Sequence, residues 1–336
     1  MRYIGIDLHK NNFQVCYIST SGKSFEQFGI YDLESFKSHL RKDDSLAVEA
    51  TGNTRYFVKQ VKDCVRQVVI VNPRQFKVIS SSVKKTDKQD AEQLAFFLSK
   101  DMLPEVRMKD ERQSQVKSMA NTRDKLVKLR TSLKNKIHNI LNAHGIISKR
   151  EAFSSDKSLN TLKEYTLNEL ASLEVDVIVS QIRSLNAGIR KLDKQIEDAG
   201  KKLDGFKNLT SIKGIGNKSA SILLSTIGDI NDFSDAGKLA SYFGIVPRMS
   251  NSNETLHQGH ITKQGSKLGR TTLVQCTLIA IRYSKYLRSF YERLKSKKGS
   301  GKAIIATARK LLDIIYKTLK EKLIFEDFPN FVLKSS

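Results

Sequence analysis

The chain has 336 residues, 39% of them hydrophobic, enough for two or three domains with ordinary buried cores. It carries 58 Lys+Arg against 35 Asp+Glu, a formal charge of +23, which is far from the balance of a small-molecule enzyme and points to a polyanionic partner, nucleic acid first. The three cysteines, Cys16, Cys64 and Cys276, are far apart and show neither a disulfide framework nor zinc-ligand spacing, and no signal-like opening or run of about 18 apolar residues occurs; a cytoplasmic protein with no membrane partner is expected.

In chain order, residues 2–8, 12–19 and 24–29 read as three short strands joined by turn chemistry at Asn11-Asn12 and Ser21-Gly22, an antiparallel meander. A polar helix near 32–42, a strand at 45–50, a helix near 54–65, a strand at 67–71 and a helix over 87–99 follow. The order βββαβαβα predicts an α/β domain of ribonuclease-H type over residues 1–104. After Pro104 the period lengthens. Met119, Leu126, Leu129, Leu133, Ile137 and Ile140 recur at helical steps, and Val175 through Leu203 alternate threes and fours for four heptads, so 105–204 reads as long helices with a coiled-coil seam. An antiparallel hairpin within one chain and a dimer interface share that pattern, and residues 145–160 read as the connecting loop.

A third, mainly helical region is expected over 205–325. Ile212-Lys213-Gly214-Ile215-Gly216-Asn217-Lys218 has the apolar-Gly-apolar-Gly pattern of a helix-hairpin-helix, in which glycines let backbone N–H groups approach phosphates. Helices near 266–294 and 302–322 follow, separated by a basic, flexible Lys295–Lys302. Its Gly-Ser-Gly-Lys is no phosphate loop, because Ser296 stands where the first glycine belongs and Ala303 where a hydroxyl would hold magnesium. The positive excess is +5, +5 and +13 over residues 1–100, 101–204 and 205–336, so the last third carries most of it.

Four acids then stand out: Asp7 after the apolar run Tyr3-Ile4-Gly5-Ile6, Glu49 after Leu46-Ala47-Val48, and Asp87 with Asp90 at the head of a helix. A ribonuclease-H-like sheet gathers such positions at one edge. Carboxylates brought together repel unless a divalent cation neutralises them, and two magnesium ions about 3.5–4 Å apart suit phosphoryl transfer. The i, i+3 spacing sets Asp87 and Asp90 on one helical face. Taken singly, Asp87 is equally an N-cap, and His9 and Lys10 either contact a phosphate or simply end the strand. A serine in the polar loop Gly244–Asn253 reads by composition as a turn or cap residue.

These residues together resemble the Piv-type DEDD transposases and recombinases of the insertion-sequence one-ten group, over nearly the whole chain. The likeness is carried by Asp7, Glu49 and Thr86-Asp87-Lys88-Gln89-Asp90-Ala91, then by Tyr242-Phe243-Gly244-Ile245-Val246-Pro247-Arg248 and Ile261-Thr262-Lys263-Gln264-Gly265. The resemblance implies a RuvC-like domain whose acids bind Mg2+ and a C-terminal domain whose serine becomes covalently linked to DNA. The family's Ser-Ser-Gly falls on Asn251-Ser252-Asn253, so Ser252 is the expected nucleophile and Ser250 the second choice; asparagine also tolerates positive φ. It further implies donor and target DNA as substrates, a structured guide RNA, and a homo-oligomer, dimer or tetramer, in which acids and serine come from different subunits. Gly214, Gly216, Lys218, Arg248, Lys263 and Arg270 are the expected nucleic-acid contacts. A RuvC-like endonuclease using water is the alternative, with a sugar kinase of actin fold and a non-catalytic nucleic-acid scaffold behind it. The Leu8-His9-Lys10-Asn11 that follows Asp7 lacks the kinase's glycine-rich turn.

Overall fold

The computed structural model describes residues 1–73, 75–76, 86–252 and 255–325, without the side chains of residues 249–258. The chain divides into two compact units, Met1–Met108 and Lys109–Ser336.

The first unit is a mixed α/β fold built on one five-stranded sheet. Strands β1 (Tyr3–Leu8), β2 (Asn12–Ser19), β3 (Gly22–Gly29), β4 (Ser45–Glu49) and β5 (Gln67–Val71) lie in the order β3-β2-β1-β4-β5. The β1/β2 and β2/β3 pairs are antiparallel, as two short turns require, and β1/β4 and β4/β5 are parallel. Helices α1 (Leu33–Ser38) and α2 (Thr54–Val61) cover one face. There Ile4, Ile6, Leu46 and Val48 meet Phe13, Phe36 and Phe57, the Phe13 ring packing edge to face against Phe36 at 5.2 Å and Phe57 at 5.3 Å. Helix α3 (Asp87–Ser99) covers the other face, through Leu94 and Leu98 against Ala47 and Val71. This topology agrees with the ribonuclease-H-like expectation. Arg2 and Asp44 close the bottom edge: Nε and Nη2 of Arg2 donate to the two oxygens of a fully buried Asp44 carboxylate, at 3.0 and 2.7 Å.

The second unit opens on two long helices, α4 (Glu111–Ala143) and α6 (Glu169–Gly200). Their contacts pair rising numbers with falling ones: Arg123 with Asp193 at 2.7 Å, Arg130 with Asn186 at 2.9 Å, Lys136 with Glu174 at 3.0 Å. They therefore form an antiparallel hairpin, and of the two readings of the heptads the intrachain one accounts for the buried seam. Ile137, Ile140 and Leu141 pack against Val175, Ile178 and Ile182, whereas Leu129 stays 56% exposed. The connector is more ordered than the expected loop. It holds helix α5 (Asp156–Asn160), with a Ser155 capping box, and a 3-10 turn at Thr161–Glu164, and it buries Phe153, Leu159 and Leu162 in the hairpin core.

Beyond it, helices α7 (Phe206–Ser211), α8 (Asn217–Ile227), α9 (Ala236–Phe243), α10 (Lys267–Tyr283), α11 (Lys285–Lys298) and α12 (Ser300–Lys320) enclose the largest core. Two expectations are corrected here. The helix expected over 266–294 is two helices, because buried Ser284 ends α10 and starts α11: its N–H bonds to Ala280 O at 2.9 Å, and its Oγ accepts from Leu287 N at 3.1 Å. The flexible basic segment expected at 295–302 is helical to Lys298 and again from Ser300, turning only at Gly299, where φ is +78°. No helix among the described residues is long and apolar enough to cross a membrane.

Candidate active site

Parallel pairing of β1 with β4 sets Ile6 opposite Val48. One residue further along each strand stand Asp7 and Glu49, at the strands' C-terminal ends. Side chains alternate across a sheet, so with Ile6 and Val48 in the α1/α2 core, Asp7 and Glu49 take the face covered by α3. Gly5 lets that helix come close. A Cβ on Gly5 would lie 2.5 Å from Ala95 N and nearer still to Ala91 O. The close approach brings the N-terminus of α3 to the strand ends. Thr86, not Asp87, caps that helix, its Oγ1 accepting from Gln89 N at 3.3 Å. Asp87 and Asp90 thereby stand in the first turn of the helix.

His9 joins two of the acids. Its Nε2 lies 3.1 Å from Asp7 Oδ2 and 3.3 Å from Asp87 Oδ2. One ligand atom from each of Asp7, His9 and Asp87 falls within 4.8 Å of the others. Asp90 acts on the same group through space. Burial pushes the Asp7 carboxyl above the usual carboxylate range, His9 opposes that rise, and the charges of Asp90 and Asp87 add to it. Glu49, half-buried at the end of β4, lies outside the three-residue group. The exits of β1 and β4 are tied together: Asn53 Nδ2 donates to His9 O at 3.2 Å, and Thr54 Oγ1 donates to Glu49 O at 2.6 Å. A half-buried carboxylate beside two like charges needs positive charge, and two carboxylates with an imidazole form a donor set that fits a divalent cation. The sequence left His9 open between two roles; its position two residues beyond a strand-end acid was the available signal.

The predicted polar loop after Gly244 is a β-hairpin, β6 (Pro247–Ser252) with β7 (Thr255–Ile261). Ser250 pairs with His257 and Ser252 with Thr255, with an irregularity between Pro247 and Met249. Ser252 thus closes β6; its side chain and that of Ser250 lie outside the described residues, as does Asn253. The root of the hairpin is tightly held. Gly244, at φ +67°, backs onto Gln264, and Thr262 N and Lys263 N donate to Val246 O and Gly244 O at 2.9 and 3.0 Å. Arg270 Nη1 bridges Phe243 O at 3.0 Å and Gln264 O at 3.3 Å, so this expected nucleic-acid contact also ties the loop. Arg248 and Lys263 are exposed, and Lys218 is half-buried, 3.3 Å from Asp193. The two hairpin glycines differ: a Cβ on Gly214 would meet Ala280 N at 2.8 Å, whereas one on Gly216, at the start of α8, would meet nothing within 4 Å. Only Gly216 has open space beside it.

Two family models match separate parts of the chain. Residues 4–146 match the DEDD transposase family of the IS110 type, and residues 206–292 match the Transposase IS116/IS110/IS902 family. The chain is 30% identical to the pilin gene-inverting protein of Moraxella bovis over 96% of its own length and 97% of that protein's. It is 25% identical to the transposase for insertion sequence element IS1111A of Coxiella burnetii, over 95% and 90% of the two lengths. A probable family 20 transposase of Pseudomonas aeruginosa is 27% identical over 70% of this chain and 71% of its own. With Asp7, His9 and Asp87 drawn together at the end of β1, a hairpin in the second matched region and likeness along almost the whole chain, the protein belongs to the IS116/IS110/IS902 transposase family and is a DNA recombination enzyme.

Proposed function

We propose that the chain cuts and rejoins DNA with a divalent-metal centre held by Asp7, Glu49, Asp87 and Asp90 and with Ser252 as the attacking hydroxyl. The observation that carries the reading is the convergence of Asp7 and Asp87 on one imidazole, with Asp90 in electrostatic reach. Bound there, Mg2+, in a pair of ions, would supply Lewis acidity toward the phosphate and the leaving oxygen. The chain's own groups set the conditions. Asp7 and Glu49 present their carboxylates from adjacent strand ends, α3 presents two more on a single turn, and His9 holds the Asp7 and Asp87 oxygens close together. A serine hydroxyl is a weak nucleophile at neutral pH, so Ser252 needs such activation, and Ser250 is the second choice.

The same reading assigns residues 1–104 as the RuvC-like catalytic domain, 105–204 as the long-helix region and 205–325 as the domain that carries the serine. Gly216, Arg248 and Lys263 would meet the DNA backbone, with Gly214, Lys218 and Arg270, engaged within the protein, holding the segments that carry them. A structured guide RNA would supply sequence choice while the protein supplies backbone contacts, and the working form would be a homo-oligomer, dimer or tetramer.

The test compares Asp7→Asn and Ser252→Ala on a recombination substrate trapped with SDS. Both variants should abolish recombination, and Ser252→Ala should also abolish the covalent protein–DNA adduct. Full activity in Ser252→Ala, with loss in Asp7→Asn, would transfer support to the RuvC-like endonuclease that uses water. A calorimetric titration of Mn2+ or Mg2+ should weaken at least tenfold in Asp7→Asn.

A further inference from the structure

Between Arg282 and Lys310 the chain carries ten lysines and arginines and a single acid, Glu292. Most of this run lies on α11 and the start of α12, and only its first part falls within the matched residues 206–292. Glu292 is 3.6 Å from Lys295, and no other ion pair forms within the run among the described residues. The nearest acid beyond it, Asp313, is half-buried one turn past Arg309 and Lys310. The cations are held in place by aromatic rings. Phe290 has the Arg293 guanidinium at 5.6 Å and the Lys310 ammonium of the neighbouring helix at 5.7 Å, and Lys295 stands 5.7 Å from the Tyr291 ring.

Part of this charge has a local explanation. Lys295, Lys297 and Lys298 occupy the last turn of α11, where a helix dipole favours cations, and Arg288 donates to Ile281 O and Arg282 O at the end of α10. Arg293 and Lys310 share the Phe290 ring, and Lys310 also faces Asp313, but Lys302 has no such explanation. Lys302 sits in the first turn of α12, where the dipole disfavours a cation, and that turn contains no acid and no side-chain cap. Like charges assembled on two adjacent helices with only one intervening acid raise a field that a polyanion relieves, whereas solubility alone is served by charges of both signs dispersed over a surface.

We propose that the face formed by α11 and the N-terminal half of α12 docks the phosphodiester backbone of duplex DNA, without reading its sequence. The choice of DNA over other polyanions rests on the recombinase reading; the charge argument does not.

The experiment measures binding of a fluorescent DNA duplex to the full chain in EDTA, by anisotropy, over a series of salt concentrations. The variant is Arg293→Gln/Lys297→Gln/Lys302→Gln/Lys310→Gln, with Phe290 kept. Each cation lost from a phosphate should flatten the slope of log K against log salt by about 0.9, so the slope should fall by roughly 3–4 and low-salt affinity at least tenfold. The double variant Lys297→Gln/Lys302→Gln alters only exposed residues, guards against misfolding, and should lower the slope by about 2. An unchanged slope in the double variant would overturn the proposal. So would a loss confined to a structured RNA of equal length, with DNA binding intact. Because EDTA removes divalent ions, the measurement does not depend on the metal centre, and failure of the metal reading would leave this result standing.

Discussion

The substitution Gly5→Ala tests how the acids are brought together. Its new methyl carbon would sit 2.5 Å from Ala95 N and 3.0 Å from Leu94 Cβ, and closer than either to Ala91 O. Comfortable carbon contacts begin at roughly 3.5 Å, so α3 must retreat by about 1 Å or more. Ala91 and Ala95 are fully buried against the sheet, so neither a flexible side chain nor solvent can absorb the shift. Overpacking of this kind costs about 1–3 kcal/mol. The retreat also carries Asp87 and Asp90, in the first turn of α3, away from Asp7 and His9, lengthening the 3.3 Å contact between His9 and Asp87. Thermal unfolding should therefore drop, and calorimetric divalent-cation affinity should drop with it. Gly52→Ala is the control, since a Cβ there meets nothing within 4 Å. If Gly5→Ala matched Gly52→Ala in both measurements, the packing of α3 on β1 as the source of the acid cluster would be refuted.

Two further perturbations separate scaffold from function. Gly214→Ala combines a positive φ of +108° with a clash at Ala280 and should destabilise the second unit by about 1–3 kcal/mol in urea unfolding, whereas Gly216→Ala should leave stability nearly unchanged and weaken DNA binding. Equal destabilisation by both would remove the distinction between the two glycines. Arg2→Met strands the buried Asp44 carboxylate and should lower stability by about 3 kcal/mol, with part recovered when Asp44→Ala is added; a loss under about 1 kcal/mol in the single variant would contradict the ion pair's burial.

Much of the first unit was legible because its strands are short, apolar and punctuated by turn residues. β5 and α3 fall at the predicted residues, and the other elements of that unit differ mainly at their ends, where local pattern is weakest. The chain's own periodicity could not place Ser284 as a break, since Leu273, Ala280 and Leu287 keep a helical rhythm across it. The break comes from a buried hydroxyl capping the next helix. Likewise the hairpin at 247–261 hides in a polar stretch, because its strands have no continuous apolar face to announce them.

The amino-acid order alone fixed the α/β and helical character, the positive excess and the four acids, because those depend on residue type and on spacing along one strand or one helix. Folding decided which partners those residues acquire. His9 bridges Asp7 and Asp87 although 78 residues separate it from the second acid, Gly5 admits α3, and the heptads close on their own chain through Arg123–Asp193 and Lys136–Glu174. Such contacts arise from sheet register and helix packing between segments distant in the chain, and periodicity, which reads one element at a time, carries no record of them.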